Sequence, residues 1–263
     1  MRQFDIESDQ REFGLDLDAP LRRTRALSAT LTFGIERIEV NSLTPPAAAQ
    51  GQALVVRDRL TVASLALEAS QRDAWGFGEG RLELRRGLDL LGRSSLAGDP
   101  DLSRSDGDGE FWSIKAELSR SVALPWNFTL WGQGWGQWSD RPLLAYEEFT
   151  AGGPQLGRAY HPSEISGDQG IGAVVELRWN ETAPLGDWQV PVELYVFADG
   201  AEVRNLNGGA PVHASIISTG VGIRAQFPGA LAINLEAAKP INRPLAYDQT
   251  EDWRFLFSAV KEF

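Results

Sequence analysis

The chain has 263 residues, a formal charge of −11, no cysteine, and Met1 as its single methionine. A length of this order suits one all-β domain, the lack of cysteine excludes disulfides and thiolate metal sites, and dispersed acidic residues without a clustered basic run exclude a nucleic-acid surface. No segment approaches the roughly 20 consecutive apolar residues of a membrane-crossing helix.

From Phe13 onward, alternating segments of about ten residues recur between clusters of Pro, Gly, Asn and Asp, which is the pattern of antiparallel strands with one oily face. The first, FGLDLD, sets Phe13, Leu15 and Leu17 against Gly14, Asp16 and Asp18, and is expected to close at APLRR. The second, ALSATLTFGIE, sets Leu27, Ala29, Leu31, Phe33 and Ile35 against Ser28, Thr30, Thr32, Gly34 and Glu36. Further strands are expected over residues 53–69, 80–90, 112–118, 128–138, 173–179, 188–199, 214–227, 230–238 and 253–263, about eleven in all. The alternation in residues 53–69 changes phase near Val62, which predicts a bulge or a register shift there. The last segment, WRFLFSAVKEF, places Trp253, Phe255, Phe257 and Ala259 on one face and ends on Phe263.

Short connections (21–25, 71–75, 124–127, 227–230) alternate with long polar ones (41–52, 92–110, 139–170, 200–213, 240–252), so short and long loops segregate to opposite ends. That segregation is expected of an outer-membrane β-barrel with short periplasmic turns and long external loops. A soluble sandwich or lipocalin-like barrel shows the same alternation with the oily face inward, so periodicity alone does not separate the two; turn parity and the terminal Phe263 favour the membrane. The start, MRQFDIESDQ, lacks the basic and apolar regions of a secretory signal, and an outer-membrane protein requires one. The expectation is therefore a chain that begins inside a longer protein.

The most informative connection is FTAGGPQLGRAYHPSEISGDQG, residues 149–170. Its spacing F-x-x-G-G-x-x-x-x-R-x-Y, through Phe149, Gly152, Gly153, Arg158 and Tyr160, resembles the loop motif of two-partner secretion transporters, the ShlB/FhaC/HecB haemolysin secretion/activation family. The similarity extends before the motif, in GQWSDRPLLAYEEF with Gln137, Leu144 and Glu147, and after it, in SGDQG and the strand GAVVELRW. Where the family usually has Arg-Gly-aromatic after a β-branched residue, this chain has Gly157 and Ala159 flanking Arg158. A second element, YVFADG, resembles the family's F-x-D motif and carries Phe197 and Asp199. Strand phase puts Glu193, Tyr195, Phe197 and Asp199 on the face opposite Leu194 and Val196, hence toward a lumen.

The resemblance implies an all-β, antiparallel transmembrane barrel of about sixteen strands, of which this chain supplies about eleven, leaving an incomplete or open wall. It implies that residues 1–263 form the C-terminal part of an outer-membrane translocator, with five strands, the POTRA domains, any plug helix and the signal peptide absent. It further implies that the loop folds into the barrel and that Arg158 pairs with Asp199 as a latch. The implied function is export of an unfolded exoprotein recognised through POTRA domains, from a monomeric barrel in contact with outer-membrane lipid. A passive pore or a barrel-assembly relative without dedicated cargo is the alternative.

No cofactor and no metal site is expected. The acidic loop GDPDLSRSDGDGE, with Asp99, Asp101, Asp106 and Asp108, lacks calcium-loop spacing, and His161 and His213 lie in separate loops. The run WNFTLWGQGWGQW, with Trp126, Trp131, Trp135 and Trp138, reads as girdle and lumen aromatics in preference to a carbohydrate platform. No pair of carboxylates is set apart for acid–base work, so no enzyme is expected.

Overall fold

The structure, a computed structural model, describes residues 7–44, 54–90, 94–206, 212–244 and 251–262. Phe263 and residues 3–6 lie outside the described residues. In chain order the strands are β1 (Glu7–Arg23), β2 (Leu27–Thr44), β3 (Leu54–Arg72), β4 (Gly76–Leu88), β5 (Trp112–Ala123), β6 (Phe128–Ser139), β7 (Phe149–Ala151), β8 (Ile165–Gly167), β9 (Gln169–Leu185), β10 (Trp188–Arg204), β11 (His213–Phe227), β12 (Leu231–Pro240) and β13 (Arg254–Lys261). Eleven of them form one antiparallel meander in which each strand pairs with its sequence neighbours, and β7 and β8 form a separate hairpin inside the connection from β6 to β9. Among the described residues β1 and β13 do not pair with each other, so the wall has an open seam.

All eleven expected strands are present, and the oily face points outward. Leu15 is 73% exposed, Leu118 66% and Phe257 68%, whereas a soluble barrel would bury these side chains in its core. Only hydrocarbon makes such a surface favourable, since water-exposed apolar area on this scale carries a large free-energy cost. The fold is therefore an outer-membrane-type β-barrel wall.

Three local expectations are corrected. The first strand does not end before APLRR: β1 runs to Arg23, and its register shifts between Pro20 and Arg22. A proline lacks the N–H of a continuous ladder and is accommodated at such a shift. The phase change near Val62 is not a bulge, because β3 pairs with β2 in one register from Leu54 to Gln71. Instead the inward face itself turns apolar there: Leu60 and Val62, with Ile38 of β2, pack against Phe111, Leu143 and Leu144 from the long loops. Finally, the connection over 139–170 is not structureless, since β7 and β8 pair through Phe149↔Gly167 and Ala151↔Ile165.

Candidate functional site in the barrel lumen

The loop from β6 to β9 has two arms, one against β2 to β5 and the other against β9 to β12. Its second arm, the β7–β8 hairpin and its tip, lies against the inner faces of β9 to β12. The tip needs glycine at two places. Gly152 has φ +114°, and a Cβ there would sit 2.1 Å from the His161 carbonyl oxygen; Gly157 has φ +77°, and a Cβ would sit 2.4 Å from Ile216 Cδ1. Gly157, one of the departures from the usual family pattern, thus turns the chain so that two successive amides face the wall. Gly157 N–H donates to Asp199 Oδ1 at 3.1 Å and Arg158 N–H to Asp199 Oδ2 at 3.4 Å.

Arg158 is 4% exposed. Its Nη2 donates to Glu176 Oε1 at 2.5 Å and its Nη1 to Glu236 Oε2 at 3.0 Å. Nε lies 3.5 Å from Asp199 Oδ2 without forming a hydrogen bond. The guanidinium carbon stands 4.2 Å from the centroid of the Phe197 ring, a cation–π distance. Sequence reasoning thus brought together residues that the fold also brings together (Arg158, Phe197 and Asp199), while the closest contacts of the guanidinium are with two other carboxylates. Asp199 chiefly accepts the loop's backbone amides and the Ser218 hydroxyl. Glu176 and Glu236 are legible as inward-facing charges from strand phase, but their meeting at Arg158 depends on how β9, β10, β11 and β12 curve around one point.

The rest of the cluster balances these acids. Arg224 donates to Glu176 and Glu193, Arg178 donates to Glu176 at 2.7 Å, and the Tyr195 hydroxyl donates to Glu236 at 2.7 Å. Burying such charges is tolerable only where each finds partners, because an unpaired buried ion is costly. Tyr160, fully buried, places its hydroxyl 3.0 Å from Asn242 Oδ1 and 3.0 Å from the Arg243 carbonyl oxygen, and its own carbonyl accepts from Arg254 of β13. Phe149 packs against the same buried cluster, its ring filling the space where Gly170 has no side chain. Gly153, with φ +105°, hydrogen-bonds through its N–H to the Gly157 carbonyl oxygen at 3.3 Å.

The first arm was not anticipated as part of a site. Leu143 and Leu144 pack on the inner faces of β2 and β3, and Glu147, fully buried, accepts from Arg85 Nη2 at 2.7 Å and Lys115 Nζ at 3.0 Å. Burial pushes the Glu147 carboxyl up, but Lys115 and Arg85 outweigh it and hold the group below its ordinary value. At the root of the loop, buried Asp168 accepts from Arg104 Nη1 at 2.6 Å, Leu143 N–H at 2.7 Å and Leu206 N–H at 2.7 Å. Arg104 also donates to Glu148 at 2.6 Å. Three external connections, β4–β5, β6–β7 and β10–β11, therefore converge on one carboxylate.

The remaining candidates are dispersed. Asp106 pairs with Arg104 at 3.0 Å and Asp108 with Arg141 at 2.8 Å. His213 is exposed beside Glu202. Trp131 and Trp135 share the inward face of β6 with Gln137, and Arg178 covers the Trp131 ring at 4.5 Å. Trp126, at a turn, is 85% exposed.

Comparison with known proteins gives this geometry a family. The profile of haemolysin secretion/activation protein ShlB/FhaC/HecB matches residues 1–225. The outer membrane transporter CdiB of Dickeya dadantii (strain 3937) is 28% identical over 171 residues, 63% of this chain and 29% of that protein. The chain thus spans about a third of the length of this curated relative. Among solved structures, CdiB from Escherichia coli superposes with a TM-score of 0.76 at 20% identity, covering 96% of this chain and 46% of that one. CdiB from Acinetobacter baumannii gives 0.70 at 16% identity over 97% and 42%. BamA from Haemophilus ducreyi lacking POTRA domains 1–3 gives 0.65 at 15% identity over 95% and 55%. The solved structures share the fold, and the profile carries the kinship: this outer-membrane barrel wall belongs to the haemolysin secretion/activation family ShlB/FhaC/HecB.

Proposed function

We propose that the chain is the C-terminal barrel portion of a two-partner secretion transporter that passes an unfolded exoprotein to the cell exterior, and that Arg158 is the movable part of its latch. Family membership supports the class of function. The observation that carries the latch is the placement of one loop arginine, buried in the lumen, between Glu176, Glu236 and Asp199 on three different strands. An arginine fork held this way sets position more than net stability, because desolvation of the charges offsets most of their attraction. A loop folded against the inner wall has to shift for a polypeptide to pass, and the ionic contacts of Arg158 can be exchanged for others as it does. Cargo recognition by POTRA domains belongs to the same reading, as do a monomeric barrel and contact with outer-membrane lipid.

The test is a charge reversal, Asp199→Arg, in the full-length transporter expressed with its paired exoprotein. Export is expected to fall at least tenfold, as an uncompensated like charge beside Arg158 is worth well over one power of ten in an equilibrium, while heat-modifiable migration of the barrel stays normal. Unchanged export with normal insertion would sink the latch.

A further inference from the structure

The chain as a whole is acidic, yet one outer surface is basic. In β2 the inward residues are Glu36 and Ile38, so Arg37 and Glu39 face out. Directly paired residues share a face, and the ladder sets Arg11 and Arg59 on either side of Glu39, Arg57 opposite Asn41, and Arg86 opposite both Ala63 and Trp112. Among the described side chains, five arginines therefore stand at the long-loop end of the outer faces of β1 to β4 against two carboxylates, Glu39 and Asp9. Those two are already engaged, Glu39 by Arg37 at 3.2 Å and Asp9 by Arg11 at 3.0 Å. Arg57 and Arg59 are exposed, and among the described residues neither they nor Arg86 form an ion pair; Arg86 lies 5.1 Å from the centroid of the Trp112 ring.

The position of the band identifies its surroundings. It lies at the long-loop end of the strands, directly beyond the outward apolar side chains Phe33, Leu65 and Leu82. Outward arginines are costly in hydrocarbon and nearly free at its boundary, so the band marks the external interface. Trp112 at its edge is the expected interfacial aromatic. Guanidinium groups bind phosphate oxygens in a fork, and several spaced over one surface suit a headgroup with more than one phosphate.

We propose that this band binds the phosphorylated glycolipid headgroup of the outer leaflet, lipid A, through Arg57, Arg59 and Arg86. The site is independent of what crosses the lumen and rests only on the barrel's orientation in the membrane.

The experiment titrates the detergent-purified full-length transporter with bisphosphorylated lipid A, dephosphorylated lipid A and phosphatidylglycerol, counting retained lipid by native mass spectrometry. The variant Arg57→Gln/Arg59→Gln/Arg86→Gln is expected to bind bisphosphorylated lipid A about 100-fold more weakly than the parent, and the matching lysine triple, which keeps the charge but not the fork, to recover only part of that loss. Where the glutamine triple does not insert, Arg59→Gln alone is expected to lose about fivefold. The parent should prefer bisphosphorylated lipid A over both other lipids. Binding by a folded glutamine variant within about twofold of the parent overturns the proposal. So does equal binding of dephosphorylated lipid A, or of phosphatidylglycerol, by the parent.

Discussion

Glu147 and Arg158 sit on one loop with opposite charges and are held by different strands of the wall: Glu147 by Arg85 of β4 and Lys115 of β5, Arg158 by Glu176 of β9 and Glu236 of β12. The loop is thus tied to the wall by two ion-pair clusters that share no residue.

Releasing the first end is the simplest prediction. Glu147→Gln leaves Arg85 and Lys115 short of a carboxylate, though Arg85 keeps Glu83 at 3.1 Å and Glu36. The expected cost is about 2–3 kcal/mol, less than the full loss of a buried partner, read as a lower unfolding temperature in detergent. No shift in that temperature would show that the pairing contributes nothing.

The same group predicts a pH response. Its folded value lies below the unfolded 4.5, so its contribution is present above pH 4.5 and disappears as pH falls through the folded value. Protease access to the loop should therefore rise on acidification below that range, and Glu147→Gln should remove this part of the response. An identical acid profile in the variant would assign the effect elsewhere.

Asp168 gives a prediction for the external loops. Asp168→Ala strips acceptors from Arg104, Leu143 N–H and Leu206 N–H together, and the loss of one buried charge partner alone is worth about 3 kcal/mol or more. The three connections should loosen in concert, seen as simultaneous gain of hydrogen exchange in residues 94–111, 140–148 and 205–206. Loosening of one connection alone would contradict a shared pin.

Locking should do the reverse. Ala145 N–H donates to Ser103 Oγ at 3.0 Å, joining two loops in a chain that has no cysteine. The pair Ser103→Cys/Ala145→Cys should form a single disulfide on oxidation and stop export, with recovery on reduction. Full export by the oxidised protein would mean that these loops do not need to separate.

Gly157→Ala tests the loop tip. The substitution meets both a positive φ and Ile216, and backbone strain of this kind costs about 1–3 kcal/mol. Export should fall while insertion is kept, and the Arg158 contacts should weaken in solution spectra of the labelled arginine. Wild-type behaviour on both measures would show that the tip tolerates another conformation.

The strand count, the faces of Tyr195, Phe197 and Asp199, and the loop motif were all legible in the sequence, because a period of two and turn residues are local properties of the backbone. Which face meets lipid was legible from turn parity and the terminal Phe263 but not from alternation, since the same alternation serves a soluble barrel. What packs on the inner face was not legible: at the apparent phase change Leu60 and Val62 obey the strand period, but their partners Leu143 and Leu144 come from a loop far along the chain. In the same way Arg158 announced itself by spacing, whereas Glu176, Glu236, Arg85, Lys115 and Asp168 became a site only where curved strands and folded loops brought charges into one low-dielectric space. Period and motif are written along one dimension; the pairing of buried charges is decided by closure in three.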